Sequence, residues 1–190
     1  MSINLSKGSS VNLTKSVPGL NRVRVGLGWE KVNPAPFDLD ASAFVCSVAS
    51  GNPKLLSDEH FVFFNNKSTP NGSVKHSGDN LTGDGDGDDE TIIVNLTTLE
   101  SNVDEISFIV TIHDAVARGQ SFGKLRDSYI KVYNDETGVL LCEYDLDASF
   151  SSETAVQFGS LIKTNGQWEF KAVGAGYNLS LGDFVAGYQG

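Results

Sequence analysis

Basic residues, sulfur and long apolar runs are all scarce in this chain of 190 residues. Lysine and arginine number 14 against 24 aspartates and glutamates, a formal charge of −10. That balance argues against nucleic acid as a partner, which requires a basic footprint. The two cysteines, Cys46 and Cys142, sit in apolar strand-like runs and read as buried free thiols. With a single methionine beside them, the chain has no evident sulfur sink for a soft element. No segment approaches the roughly eighteen apolar residues of a membrane-spanning helix. The opening stretch, Met1 to Ser10, lacks the apolar centre of a secretion signal, so the expected compartment is the cytoplasm. His60, His76 and His113 are scattered, without the paired spacing of a zinc site; His113-Asp114 resembles half of an HD-type phosphohydrolase pair, but lacks the further helical histidines and reads as a strand-end histidine satisfied by its neighbours. No Gly-x-Ser-x-Gly elbow and no phosphate-binding glycine loop is present.

What the chain does have is alternation. Val23, Val25, Leu27 and Trp29 interleave with Arg22, Arg24, Gly26 and Gly28, the pattern of a half-buried strand. Ile106, Phe108, Val110 and Ile112 repeat it, as do Trp168, Phe170 and Ala172. Shorter strands are expected at 41–48, 61–64, 91–96, 129–133 and 140–144, with their aromatic residues in the core. Asn165-Gly166 is a hairpin turn, because both positions tolerate positive φ, and Asn134 to Gly138 closes a second hairpin. Helical signals are confined to a turn near Thr98–Ser101 and a last segment, Leu181–Tyr188. The segment from Arg118 through Gln120, Ser121 and Phe122 reads as a structural loop. The expected fold is all-β: one domain spanning residues 1–190, a two-sheet β-sandwich with a few short helices and acidic loops at one end.

Residues 79–90 concentrate the charge. Asp79, Asp84, Asp86, Asp88, Asp89 and Glu90 supply six of the ten net negative charges, interleaved with Gly83, Gly85 and Gly87. Six carboxylates this close repel one another unless a cation sits among them. Oxygen-only donors on a glycine-rich loop suit a hard divalent ion, calcium before magnesium. In extended backbone Asp84, Asp86 and Asp88 point the same way. Asp38 and Asp40 form a second pair on one side of a strand, and Asn80 adds an amide oxygen. These eight carboxylates carry a formal −8, so two adjacent ions are expected rather than one. An EF-hand is excluded: counted from Asp84, position six is Asp89 instead of glycine and position twelve is Asn95 instead of glutamate.

These motifs carry a resemblance. Val25-Gly-Leu-Gly-Trp29, Asp38-Leu-Asp-Ala-Ser-Ala-Phe44, Ser77-Gly-Asp-Asn-Leu-Thr-Gly83 and Gly87-Asp-Asp-Glu90 resemble the TerD family of tellurium-resistance and stress proteins. Gln120-Ser-Phe-Gly123 and Gly166-Gln-Trp-Glu-Phe-Lys-Ala-Val-Gly174 extend the resemblance over nearly the whole chain. Leu161-Ile162-Lys163-Thr164 departs from the tyrosine–arginine ending of the family before the last hairpin. The resemblance implies a calcium-binding β-sandwich without enzymatic activity, in the cytoplasm and peripheral to the inner face of the membrane. It implies an adaptor or sensor in a membrane-associated complex with the small protein TerB and the integral protein TerC. Carried over by position, the metal ligands fall on Asp38, Asp40, Asp79, Asn80, Asp84, Asp86, Asp88, Asp89 and Glu90. No small-molecule substrate is expected.

Two other classes use the same carboxylates. A two-metal phosphoester hydrolase needs ions roughly 3.5–4 Å apart with an open coordination position. A calcium-dependent sugar-binding sandwich belongs outside the cell, against which the missing secretion signal and the free thiols count. Direct capture of a tellurium oxyanion is not expected, since an acidic site repels it.

Overall fold

The computed structural model describes residues 2–30, 36–49, 51–78, 87–125, 127–146 and 150–189, with the Leu146 side chain left aside. Its strands, in chain order, are β1 (Ile3–Asn4), β2 (Ser10–Asn12), β3 (Arg22–Gly28), β4 (Leu39–Ser47), β5 (Lys54–Leu55), β6 (Phe61–Val62), β7 (Val74–His76), β8 (Glu90–Asn95), β9 (Glu105–Ile112), β10 (Ser128–Asn134), β11 (Leu140–Leu146), β12 (Ala155–Thr164) and β13 (Gln167–Tyr177). Three short α-helices accompany them among the described residues: α1 (Leu13–Ser16), α2 (Ala115–Arg118) and α3 (Leu181–Tyr188).

The strands form two sheets, as the alternation implies. The first runs β1-β11-β10-β3-β8-β7; the second runs β2-β13-β12-β9-β4-β5, with β6 also paired to β4. Val23, Val25 and Leu27 of β3 and Ile92 and Val94 of β8 face inward, against Leu39, Ala41, Ala43 and Val45 of β4 and Phe108 and Val110 of β9. The β4 strand is buried on both faces. Its odd-numbered residues enter the core between the sheets, while Phe44 and Cys46 enter a second cluster on the outer side of the second sheet. Helix α3 covers that side. Ser180 and Asp183 close a capping box at its start, and Phe184 is buried against Tyr177, ring to ring at 5.2 Å. Tyr188 meets Phe44 at 4.5 Å.

The turns follow their residues. Asn165 and Gly166 take φ of 52° and 75°, the left-handed pair that a type I′ hairpin between β12 and β13 requires. Asn134 closes the β10–β11 turn by accepting from the backbone N–H groups of Glu136 and Thr137. Both cysteines are free and buried, and burial, with Glu143 nearby, pushes the Cys142 thiol up to about 12. Burial raises the Cys46 thiol as well. One expectation fails: Tyr129 and Tyr133 are not core residues. They alternate out of β10 onto the open face of the first sheet, half-buried, with the ammonium of Lys131 and the guanidinium of Arg24 over their rings at 3.9 and 4.1 Å.

Candidate metal centre

The two acidic segments meet at one end of the sandwich because β4 has an open edge there. Along residues 43–47 the β4 strand pairs with β6 and β5, but Ala41 has only β9 beside it. Its remaining N–H and C=O need partners, as buried backbone groups do. The first sheet supplies both. Glu90 Oε2 accepts from the Ala41 N–H at 2.7 Å, and His76 Nε2–H donates to the Ala41 carbonyl at 3.1 Å. The other ring nitrogen of His76 accepts from the Gly78 N–H at 3.0 Å, which fixes the proton on Nε2. Glu90 Oε2 and His76 Nε2 are themselves 3.5 Å apart, and both side chains are wholly enclosed. A carboxylate and an imidazole thus bolt one sheet to the other immediately beside Asp40.

Trp29 makes a second tie. Its backbone N–H donates to Asp89 Oδ2 at 2.9 Å, and its indole N–H reaches the Phe37 carbonyl at 3.3 Å. The start of β8 and the start of β4 are therefore held by one residue at the end of β3. Asp38, Asp40 and Glu90 are buried, at 7%, 6% and 1% exposure. The Asp38 carbonyl accepts from the His113 N–H at 2.8 Å, and the His113 ring lies 3.8 Å from Asp40 and 3.4 Å from Asp114.

Asp88 is placed elsewhere. Its carboxylate lies on the outer face of the first sheet, where it is ion-paired to Arg24 Nη1 and 7% exposed. The hydroxyls of Tyr129 and Tyr133 reach it at 3.3 Å each. It rests on Gly26: a Cβ at that position would fall on the carboxyl group. The same logic holds at Gly28, whose absent side chain leaves room for the Tyr129 ring. Burial and the neighbouring Asp88 charge push the Tyr133 hydroxyl up to about 12, and the same causes raise Tyr129. Asp88 and Glu90 thus lie on opposite faces of one sheet. Asp79, Asn80, Asp84 and Asp86 lie outside the described residues.

Among the described residues, no three His, Cys, Asp or Glu side chains form a group able to hold a metal ion. Asp38, Asp40 and Glu90 are each enclosed near the starts of β4 and β8, and Asp89 is held by Trp29; their hard oxygen donors are of the kind a hard cation takes, without three of them converging. Sequence reasoning missed Trp29, His76 and the Arg24–Tyr129–Tyr133 set. For the last, the alternation of β3 and β10 offered a signal, since it places those residues on one face.

Known proteins resemble this chain in both architecture and sequence. The TerD domain model matches residues 1–188. The chain belongs to the TerD family. It is 47% identical over 190 residues to the tellurium resistance protein TerD of Serratia marcescens, covering 99% of this chain and 97% of that one. General stress protein 16U of Bacillus subtilis is likewise 47% identical, over 191 residues and the same shares. Among solved structures, a TerD homologue from Streptomyces coelicolor A3(2) has the same fold, with a TM-score of 0.70 at 22% identity, covering 88% of this chain and 96% of that one. This member of the tellurium-resistance and general-stress family is built as a two-sheet sandwich.

Proposed function

We propose that this TerD-family protein is a calcium-dependent adaptor of the stress response. The observation that carries the reading is the burial of Asp38, Asp40 and Glu90 where the two sheets are tied together. Hard carboxylate oxygens enclosed at one end of the sandwich suit a hard divalent cation. The ligands would come from Asp38, Asp40, Asp89 and Glu90, with Asp79, Asn80, Asp84 and Asp86 from the preceding run. Asp88, held by Arg24, would anchor that run to the sheet instead. Two divalent ions bound there would supply neutralising charge, and the chain's own residues would set the geometry around them. The buried thiols, with Cys142 pushed up to about 12, make tellurium chemistry at sulfur a poor alternative.

Resistance then arises through assembly, with TerB-like and membrane-bound TerC-like proteins, at the inner face of the membrane. The test is thermal. A ligand that binds only the native state stabilises it by RT ln(1 + [L]/Kd), about 2.7 kcal/mol at a hundredfold excess. Calcium should raise the melting temperature of chelator-stripped protein, and the rise should vanish in the double variant Asp79→Asn, Glu90→Gln. A stripped protein whose melting is indifferent to calcium would sink the proposal. Turnover of a generic phosphoester with magnesium would move it to the hydrolase class.

A further inference from the structure

A groove of about 1000 Å³ opens beside Asp40, on the outer side of the second sheet where α3 no longer covers it. Its two walls are the segment after β9, which carries α2, and the segment leading from β13 into α3. Apolar side chains from both walls line it, among them Ile112, Val116, Leu179 and Leu181. Only four large hydrophobic residues are exposed among those described, and two of them, Val116 at 90% and Leu179 at 39%, stand here.

The exposure of Val116 is built in. Helix α2 is a single turn bounded by left-handed residues on both sides, Asp114 at φ 51° and Gly119 at φ 61°. A non-glycine residue in that region costs free energy, and such strain gathers at binding and switch regions. Here it helps hold an apolar side chain in water, which contributes nothing to the stability of this chain. Charge sets the partner's character. Asp40, Asp114 and Asp183 line the groove, and no lysine or arginine does among the described residues.

We infer that this groove docks a partner protein through a short segment that pairs apolar side chains with lysine or arginine. The apolar side chains pack on Val116 and Leu179, and the cation faces the exposed Asp114. The inference rests on the adaptor reading and supplies its contact face, next to a proposed metal ligand.

The probe is a fluorescein-labelled synthetic peptide of alternating leucine and lysine, titrated into the full chain and followed by anisotropy and amide NMR shifts. Binding should perturb residues 112–119 and 178–183. Val116→Lys should weaken it at least tenfold, and Asp114→Asn several-fold; asparagine tolerates the left-handed backbone, so that variant keeps the fold. Glu136→Gln, a remote exposed acid, should leave binding unchanged. Equal binding by wild type and Val116→Lys, or an equal loss in Glu136→Gln, would reduce the effect to general charge attraction and overturn the inference. So would self-association abolished by Val116→Lys, which gives the groove to a second copy. Partition onto phosphatidylglycerol vesicles weakened by Val116→Ser would give the face to a membrane instead. Calcium titration of the same sample separates the failures: calcium binding without peptide binding ends the groove reading alone, and the reverse ends the metal reading alone.

Discussion

Gly26→Ala is the most informative single change in the first sheet, because its cost comes from a neighbour. Gly26 pairs with Lys131 and Thr91 in the middle of β3, where its backbone is not in the left-handed region, so alanine suits it conformationally. The new methyl would occupy the place of the Asp88 carboxyl. Asp88 must then leave Arg24 and the two tyrosine hydroxyls. A charge-assisted hydrogen bond contributes about 1.5–3 kcal/mol, and each long hydroxyl bond about 0.5. Against this, replacing glycine stabilises by about 0.4–1 kcal/mol through the unfolded chain. The net loss is about 2–3 kcal/mol, or about 5–10 °C in Tm for a chain of this size. Urea unfolding in a chelator measures it without involving metal. The decisive comparison is a cycle with Asp88→Ala, where the methyl has room and Gly26→Ala should be neutral or stabilising. Equal destabilisation in both backgrounds would refute the account of Gly26 as the seat of Asp88.

The Tyr133 hydroxyl, raised to about 12 by burial and then by Asp88, favours the protonated form in the folded state. Its contribution is full below pH 10 and is lost as pH rises towards 12; Tyr133→Phe should flatten that alkaline decline, and an unchanged decline would contradict the assignment. Phe44 is fully buried between β4 and α3, so Phe44→Ala should cost about 3–5 kcal/mol by denaturant unfolding. Glu90→Ala removes the acceptor of the Ala41 N–H and should cost at least about 1–3 kcal/mol without any metal present, whereas Glu90→Gln, which keeps an acceptor oxygen, should lose much less. Comparable losses in the two would show that Glu90 does not tie the sheets.

Legibility divided along physical lines. The β3 and β9 alternations, the Asn165-Gly166 turn and α3 were readable because each is encoded locally, in side-chain period or permitted φ. The first half of β12 was not, since a register shift between Gln157 and Gly159 breaks the period two on which such reading depends. Strands of two or three residues, β1, β2, β5 and β7, are too short to show any period. At the candidate site, the sequence put the acidic segments in view but not their attachments. Glu90 looked like one more carboxylate of a run; in the fold it crosses to Ala41, 49 residues away. Asp88 looked like its equivalent two positions earlier, yet Arg24, 64 residues distant, holds it on the other face. Pairings at such separations depend on which strands become neighbours, and local pattern does not carry that.

Calorimetric titration of chelator-stripped protein, first with calcium and then with magnesium, tests the central claim most directly. The account predicts two calcium ions bound at micromolar affinity or tighter, magnesium much weaker, and calcium binding lost in Glu90→Gln. A protein that takes up no calcium, while folded and with Asp38, Asp40 and Glu90 intact, would contradict it.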